Sequence, residues 1–502
     1  MSEQDNNSHH IDPNLPPLVN FWINAFQQAY GLPQGIPGSV ESSINPRILR
    51  RQWLDTLSQT TDVYLRSPLF LQMLKSHVET LSLAKRNSES LHGAKCGTGN
   101  ERAGNERAED IEALRRQMDR LKERLDSLET MLCGTLQPEQ PVSSPAATAI
   151  APGEAAGQQA TDIPGSPDSA EASQGVTPCD VIYSEGTMRL LRYRNPSVRF
   201  AEPILVCFAL VNRPYILDLK DDRSVVRRLL EHGFDVYLVD WGVPRDADRH
   251  LRLEDYVGRL LPHAVNCVCE SSGIGQLNLL GYCMGGTMST IFTTQQPHRV
   301  KNLILMATPI DFAGDDGLLN LWAREEYFDV DKLIDAYGNC PGEFLQFVFQ
   351  LMKPVQNFAE KQLMFCENLN DATFVDNFVA VERWACDSIP VAGATFRQYV
   401  KAFYQQNQLV RGQTCLAGAA VRLEVIHCPL LLLVAEKDHL VMPESTLAIQ
   451  RHVSSEDVQT MSINAGHVGL AVSSKAHRSL WPEAAEWIAQ HSTELHLSLI
   501  HI

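Results

Sequence analysis

The chain has 502 residues, room for two or more domains, and its 44% hydrophobic and 21% charged residues are ordinary for a globular protein with ample core material. A net charge of -17 argues against a protein that holds nucleic acid on a basic surface. No apolar run approaches the ~18 residues a membrane-spanning helix needs. Met1-Ser2-Glu3-Gln4-Asp5 has neither a basic nor an apolar leader, and the 12 cysteines are scattered singly apart from Cys267 and Cys269, so a reduced, cytoplasmic protein is expected. Cys267-Val268-Cys269 lacks a second Cys or Cys/His pair at zinc spacing, so neither a metal site nor a cofactor is expected.

Residues 1–16 are polar and Pro-containing and read as a disordered tail. Over 17–86, apolar residues recur at helical spacing, first Phe21, Trp22 and Phe26, then Trp53, Leu57, Tyr64, Leu69, Leu71, Leu74, Val78 and Leu81, which predicts two or three helices. Residues 87–106 are polar and read as a linker. Then Ile111, Leu114, Met118, Leu121, Leu125, Leu128 and Leu132 step alternately by three and four with charges between them. That is a heptad seam over 107–133, which needs a partner helix from a copy of itself, another subunit or the upstream helices. A single amphipathic helix lying on the rest of the chain would carry a wider apolar stripe. Residues 134–177 are rich in Pro, Ala, Gly, Ser and Gln, the composition of a flexible tether.

From 178 to 492 the texture changes to alternating strands and helices. Strands are expected at 203–210, 235–242, 276–280, 302–311, 429–438 and 458–463, with helices at 222–233 and 254–271. Continuous apolar strands alternating with helices imply a mostly parallel sheet covered on both faces. The apolar insertion at about 312–428 is too hydrophobic for a loop and reads as a helical cap over the active site.

The chemistry centres on Leu277 to Thr287, where a short strand runs into Gly281-Tyr282-Cys283-Met284-Gly285-Gly286 and a helix follows. This is the pattern of a nucleophile elbow, with small residues flanking a turn that pushes its central side chain out at the top of the sheet. A buried cysteine beside packing glycines is the plainer alternative. Cys283 would sit at a helix N-terminus, which favours a thiolate, and the Met284 N–H could stabilise an oxyanion. Nucleophile, acid and histidine then come in the order this fold uses: Asp438 ends the 429–438 strand, and His467 lies in the loop Asn464-Ala465-Gly466-His467-Val468-Gly469 after the next one. His439 is a weaker candidate. A second oxyanion N–H is expected from the loop after 203–210, with Val211 as the choice. Arg213 in that loop reads as meeting either an anionic substrate group or Asp218, Asp221 or Asp222. A cysteine nucleophile suits acyl transfer from a thioester better than ester hydrolysis, because the thioester intermediate keeps the activation of the acyl group.

From about Asp180 to beyond His467 the chain resembles the catalytic subunit of polyhydroxyalkanoate synthases, closest to the class III type. The motifs that carry this are Tyr183-Ser184-Glu185, Ala209 to Tyr215, Val239-Asp240-Trp241-Gly242, the Gly281 to Gly286 elbow, Thr308 to Phe312, Phe396-Arg397-Gln398, Phe403 to Asn407, Asp438-His439 and Gly466 to Gly469. The resemblance implies an α/β-hydrolase fold with a helical cap, preceded here by an α-helical and coiled-coil N-terminal region. It implies Cys283 as acyl carrier, His467 as general base and Asp438 as its partner. Whether Asp438 orients His467 or itself deprotonates the incoming hydroxyl stays open. The expected activity is polymerisation of (R)-3-hydroxyacyl-CoA, short-chain such as 3-hydroxybutyryl-CoA, with release of CoA at the surface of a cytoplasmic polyester granule. A homodimer is expected, and the N-terminal helices look similar to part of the accessory subunit of class III enzymes, while a phasin-like role would fit them too. The rival readings are an acyl-CoA thioesterase or polyester depolymerase on the same fold, and a granule-associated scaffold protein.

Overall fold

Strands that are apolar on both faces have to be covered on both faces, and the chain does this with one central sheet. The computed structural model describes residues 46–93, 175–314 and 317–495. The expected tail, the helical stretch before residue 46, the heptad helix and most of the tether lie outside those residues. The chain divides into two compact units, Met1–Leu57 and Ser58–Ile502. Of the first, only the opening turns of helix α1 (Pro46–Leu65) are described.

The sheet belongs to the second unit. Its strands are β1 (Cys179–Glu185), β2 (Met188–Tyr193), β3 (Ile204–Cys207), β4 (Val236–Asp240), β5 (Leu277–Tyr282), β6 (Val300–Met306), β7 (Leu430–Ala435) and β8 (Val458–Ile463). In space they run β1-β2-β4-β3-β5-β6-β7-β8, and every pairing from β4 to β8 is parallel. The chain moves outward from β3 to β4 and then crosses back to place β5 on the other side of β3. A crevice opens beyond the carboxyl ends of strands where the winding direction reverses, and here that point lies between β3 and β5.

Some elements differ from the sequence expectation. The antiparallel edge strands β1 and β2 have no counterpart in it, because β1 exposes much of its surface and lacks the continuous apolar run sought for a buried strand. Helix α2 (Pro68–Gly93) continues through residues 87–93, which read as linker; that stretch holds no glycine or proline before Gly93. The helix expected at 222–233 shortens to α3 (Val225–Glu231) because the Ser224 hydroxyl accepts the Arg227 N–H at 2.9 Å and caps it.

The segment between β6 and β7 is helical, as expected, with α4 (Leu318–Trp322), α5 (Val330–Tyr337), α6 (Gly342–Leu351), α7 (Lys361–Glu367), α8 (Ala372–Cys386) and α9 (Gly393–Tyr399). Helix α2 packs along α5. Phe70 is buried against Trp322, with ring centroids 5.6 Å apart, the Trp322 indole N–H donates to the Leu65 carbonyl at 3.0 Å, and Glu79 pairs with Lys332 at 2.8 Å. No helix among the described residues is long and apolar enough to cross a membrane. Phe70 is 1% exposed, so Phe70→Ala should cost about 3–5 kcal/mol in denaturant unfolding. A loss below about 1 kcal/mol would mean that α2 does not pack as described.

Candidate active site

Strand β5 delivers Tyr282 into the sheet and the chain then turns abruptly. Cys283 has φ 54° and ψ -128°, a left-handed conformation that costs a non-glycine residue energy and persists only where the surroundings impose it. The surroundings do so through close packing. A Cβ on Gly285 would overlap the Cys207 carbonyl oxygen, and one on Gly281 would overlap Gly286. Backbone bonds complete the clamp: the Cys283 N–H donates to the Met306 carbonyl at 2.9 Å, and the Cys283 carbonyl accepts the Gly286 N–H at 2.8 Å. The helix that starts at Met284 runs to Gln295, so the sulfur stands over its N-terminus.

The other two candidates converge on this point from different strands. Asp438, three residues beyond β7, lies with its side chain only 1% exposed. One carboxylate oxygen accepts the N–H groups of Leu440 and Val441, each at 2.9 Å, and the other meets His467 Nδ1 at 2.7 Å. It is therefore a turn anchor rather than a cap for the following helix, whose N-cap is Met442. His467, after β8, lines the same cavity as Cys283. Burial by itself depresses the imidazole's pKa, but the Asp438 carboxylate and the Cys283 sulfur outweigh it and raise it to about 10.

Tyr282 was not singled out from the sequence. Its ring stacks on the His467 imidazole with centroids 5.1 Å apart, and its hydroxyl donates to the His467 carbonyl at 3.3 Å. Its place immediately before the nucleophile was the available signal. His439 is exposed and lines neither cavity beside Cys283.

Cys283 and Val211 together line two cavities. One, of about 130 Å³, is walled almost entirely by apolar side chains, among them Leu74, Val78, Trp322, Phe344, Phe396 and Val400. The other, of about 270 Å³, contains His467 and carries polar groups from Asn212, Gln346, Asn357, Lys361 and Ser388. Met284 and Val211, the expected oxyanion residues, both line the apolar cavity with Cys283. A larger groove of about 1050 Å³, lined by Arg249, Arg252, Arg397 and Lys401, holds none of Cys283, Asp438 and His467.

The cap is fastened on both sides of the elbow. The Trp384 indole N–H donates to the Arg213 carbonyl at 2.8 Å, Ser388 donates to Asn212 at 3.3 Å, and the Tyr399 hydroxyl donates to Thr287 at 3.1 Å. Arg213 pairs with Asp387 of the cap at 3.4 Å. That corrects the expectation of Asp218, Asp221 or Asp222: Asp218 is buried and accepts from Thr177 and Ser224, while Asp221 and Asp222 pair with Arg227 and Arg223.

Two family models match the chain. One is described as alpha/beta hydrolase fold, over residues 203–472, and the other as poly-beta-hydroxybutyrate polymerase (PhaC) N-terminus, over 172–229. The chain is 46% identical over 323 residues to the poly(3-hydroxyalkanoate) polymerase subunit PhaC of Haloferax mediterranei, covering 64% of this chain and 66% of that one. It is 43% identical over 327 residues to the protein of the same name from Haloarcula marismortui, covering 64% and 69%, and 40% identical over 317 residues to that from Allochromatium vinosum, covering 62% and 89%. These likenesses favour polymer synthesis over the hydrolase and scaffold readings. With the parallel sheet and the elbow already described, they establish that the chain belongs to the poly(3-hydroxyalkanoate) polymerase family on the α/β-hydrolase fold.

Proposed function

We propose that the chain polymerises (R)-3-hydroxyacyl units from their CoA thioesters, carrying the acyl group on Cys283. The observation that carries this reading is the strained elbow cysteine sharing a cavity with an imidazole that Asp438 holds at 2.7 Å, and lining an apolar cavity besides.

The raised pKa of His467 gives each half-reaction a proton account. His467, whose proton affinity the Asp438 carboxylate raises, takes up the Cys283 thiol proton as the sulfur reacts. The thiolate attacks the thioester carbonyl, the C–S bond to CoA breaks, and His467 gives its proton to the departing CoA sulfur. Acylation removes the sulfur's charge, and with it one of the interactions that kept His467 protonated. The now neutral imidazole takes the proton from the hydroxyl of an incoming acyl-CoA, whose oxygen attacks the Cys283 thioester. The ester C–O bond forms, the C–S bond to Cys283 breaks, and the freed sulfur leaves beside the reprotonated imidazole, ready to be acylated again by the lengthened acyl-CoA. Each tetrahedral oxyanion would lie against the backbone N–H groups of Met284 and Val211. Asp438 acts in this account by orienting His467: its carboxylate is almost fully buried and both its oxygens are already engaged, which argues against direct contact with the incoming hydroxyl.

The apolar cavity suits the acyl side chain and the polar one the amide-bearing arm of CoA. An apolar cavity of about 150 Å³ holds one benzene-sized ligand. At about 130 Å³ the apolar cavity matches a 3-hydroxybutyryl group, which has the same number of heavy atoms. We extend the proposal to a homodimer, or an assembly with an accessory or phasin-like subunit, formed through the seam from Ile111 to Leu132 at the surface of a cytoplasmic granule; the seam lies outside the described residues.

Cys283→Ala should abolish CoA release from 3-hydroxybutyryl-CoA, and Cys283→Ser should reduce it severely; substantial turnover in the alanine variant would refute the assignment. Asp438→Asn removes the charge that keeps the imidazole protonated. The pH above which His467 is neutral should therefore fall below about 10, and CoA release should drop on the order of 10²–10⁴-fold. A pH–rate profile that neither shifts nor falls would contradict the role given to Asp438. Replacing Leu121 and Leu125 by Glu should lower the mass measured by light scattering, and an unchanged mass would show that the seam does not hold subunits together.

A further inference from the structure

One wall of the acyl cavity comes from a helix that neither family model covers, since those matches begin at residue 172. Helix α2 presents Leu71, Leu74, Val78 and Leu81 at helical spacing; Leu71 and Val78 are 2% exposed, whereas Leu69 and Leu83 on other faces are 65% and 59% exposed. Leu74 and Val78 line the same cavity as Cys283. Their positions are held by neighbours with other roles. Trp322 contacts Phe70 and donates to the Leu65 carbonyl while itself lining the cavity, and the Glu79–Lys332 pair lies one residue beyond Val78.

We propose that α2 forms the specificity wall of the acyl site, with Leu74 and Val78 limiting the length of the hydroxyacyl side chain that Cys283 accepts. This rests on the acyl-transfer reading above. The physical reason is volume: the cavity is small and apolar, closely packed interiors give way little, and a longer acyl chain needs space that these two side chains occupy. The N-terminal segment would thus contribute directly to the binding site as well as to assembly.

The test compares CoA release from 3-hydroxybutyryl-CoA and 3-hydroxyhexanoyl-CoA by the full chain and by Leu74→Ala, Val78→Ala, Val78→Ile and Leu83→Ala. Leu74→Ala and Val78→Ala should raise the ratio of kcat/KM for the six-carbon over the four-carbon substrate by about tenfold. Val78→Ile adds a methylene to the wall and should lower that ratio. Leu83→Ala, on the exposed face, should leave both rates unchanged. A purely structural role for α2 would lower both rates in parallel and leave the ratio fixed in every variant, which would overturn the proposal. Should the alanine variants fail to fold, the ratio for Val78→Ile decides the matter alone. Absence of CoA release from the parent chain with both substrates would instead contradict the acyl-transfer reading, and this proposal with it.

Discussion

The structure turns on the close approach of two backbones at the switch point of the sheet. Where the β3 loop passes the start of the elbow helix there is no space for a side chain at Gly285, and Cys283 is forced to φ 54°. Conformational strain of that kind costs roughly 1–3 kcal/mol and has to be imposed by the packing around it. Here the packing is the centre of the sheet, where β5 lies between β3 and β6. The same geometry that strains the residue holds its sulfur clear of the sheet, over a helix N-terminus and within reach of the histidine loop.

Everything else in the site refines that placement. Parallel strands end together, so residues from the ends of β3, β5, β7 and β8 meet without any long-range feature in the sequence that joins them. The cap then divides the space above the sulfur. Its apolar side favours an acyl chain and disfavours water, and its polar side offers hydrogen bonds to an amide-bearing carrier. On the proposed mechanism a thioester intermediate would be protected by this division, because hydrolysis would compete with chain growth at each step.

The parallel strands were legible because burial on both faces produces continuous runs such as Leu430 to Ala435, and Val458–Ile463 was placed at its true bounds. The elbow was legible because glycines at fixed offsets from a cysteine report a local steric need. Asp438 and His467 were candidates from their positions after strands, and the fold brings the two side chains to 2.7 Å of each other. Less was legible where structure depends on neighbours distant in sequence. The edge strands β1 and β2 pair along a partly exposed surface, so their pattern is weak. The Arg213–Asp387 pair joins residues far apart in the chain, and only the folded cap brings them together. The stripe from Leu71 to Leu81 showed that α2 must bury one face, but nothing in it said that the face would line the cavity at Cys283.

The central claim is that the acyl group travels on Cys283, and the most direct measurement is mass spectrometry of the chain quenched soon after mixing with 3-hydroxybutyryl-CoA, followed by peptide mapping. The account predicts one or more hydroxybutyryl units on the peptide containing Cys283. Polymer formation with that peptide unmodified throughout, or with the adduct on another residue, would contradict it.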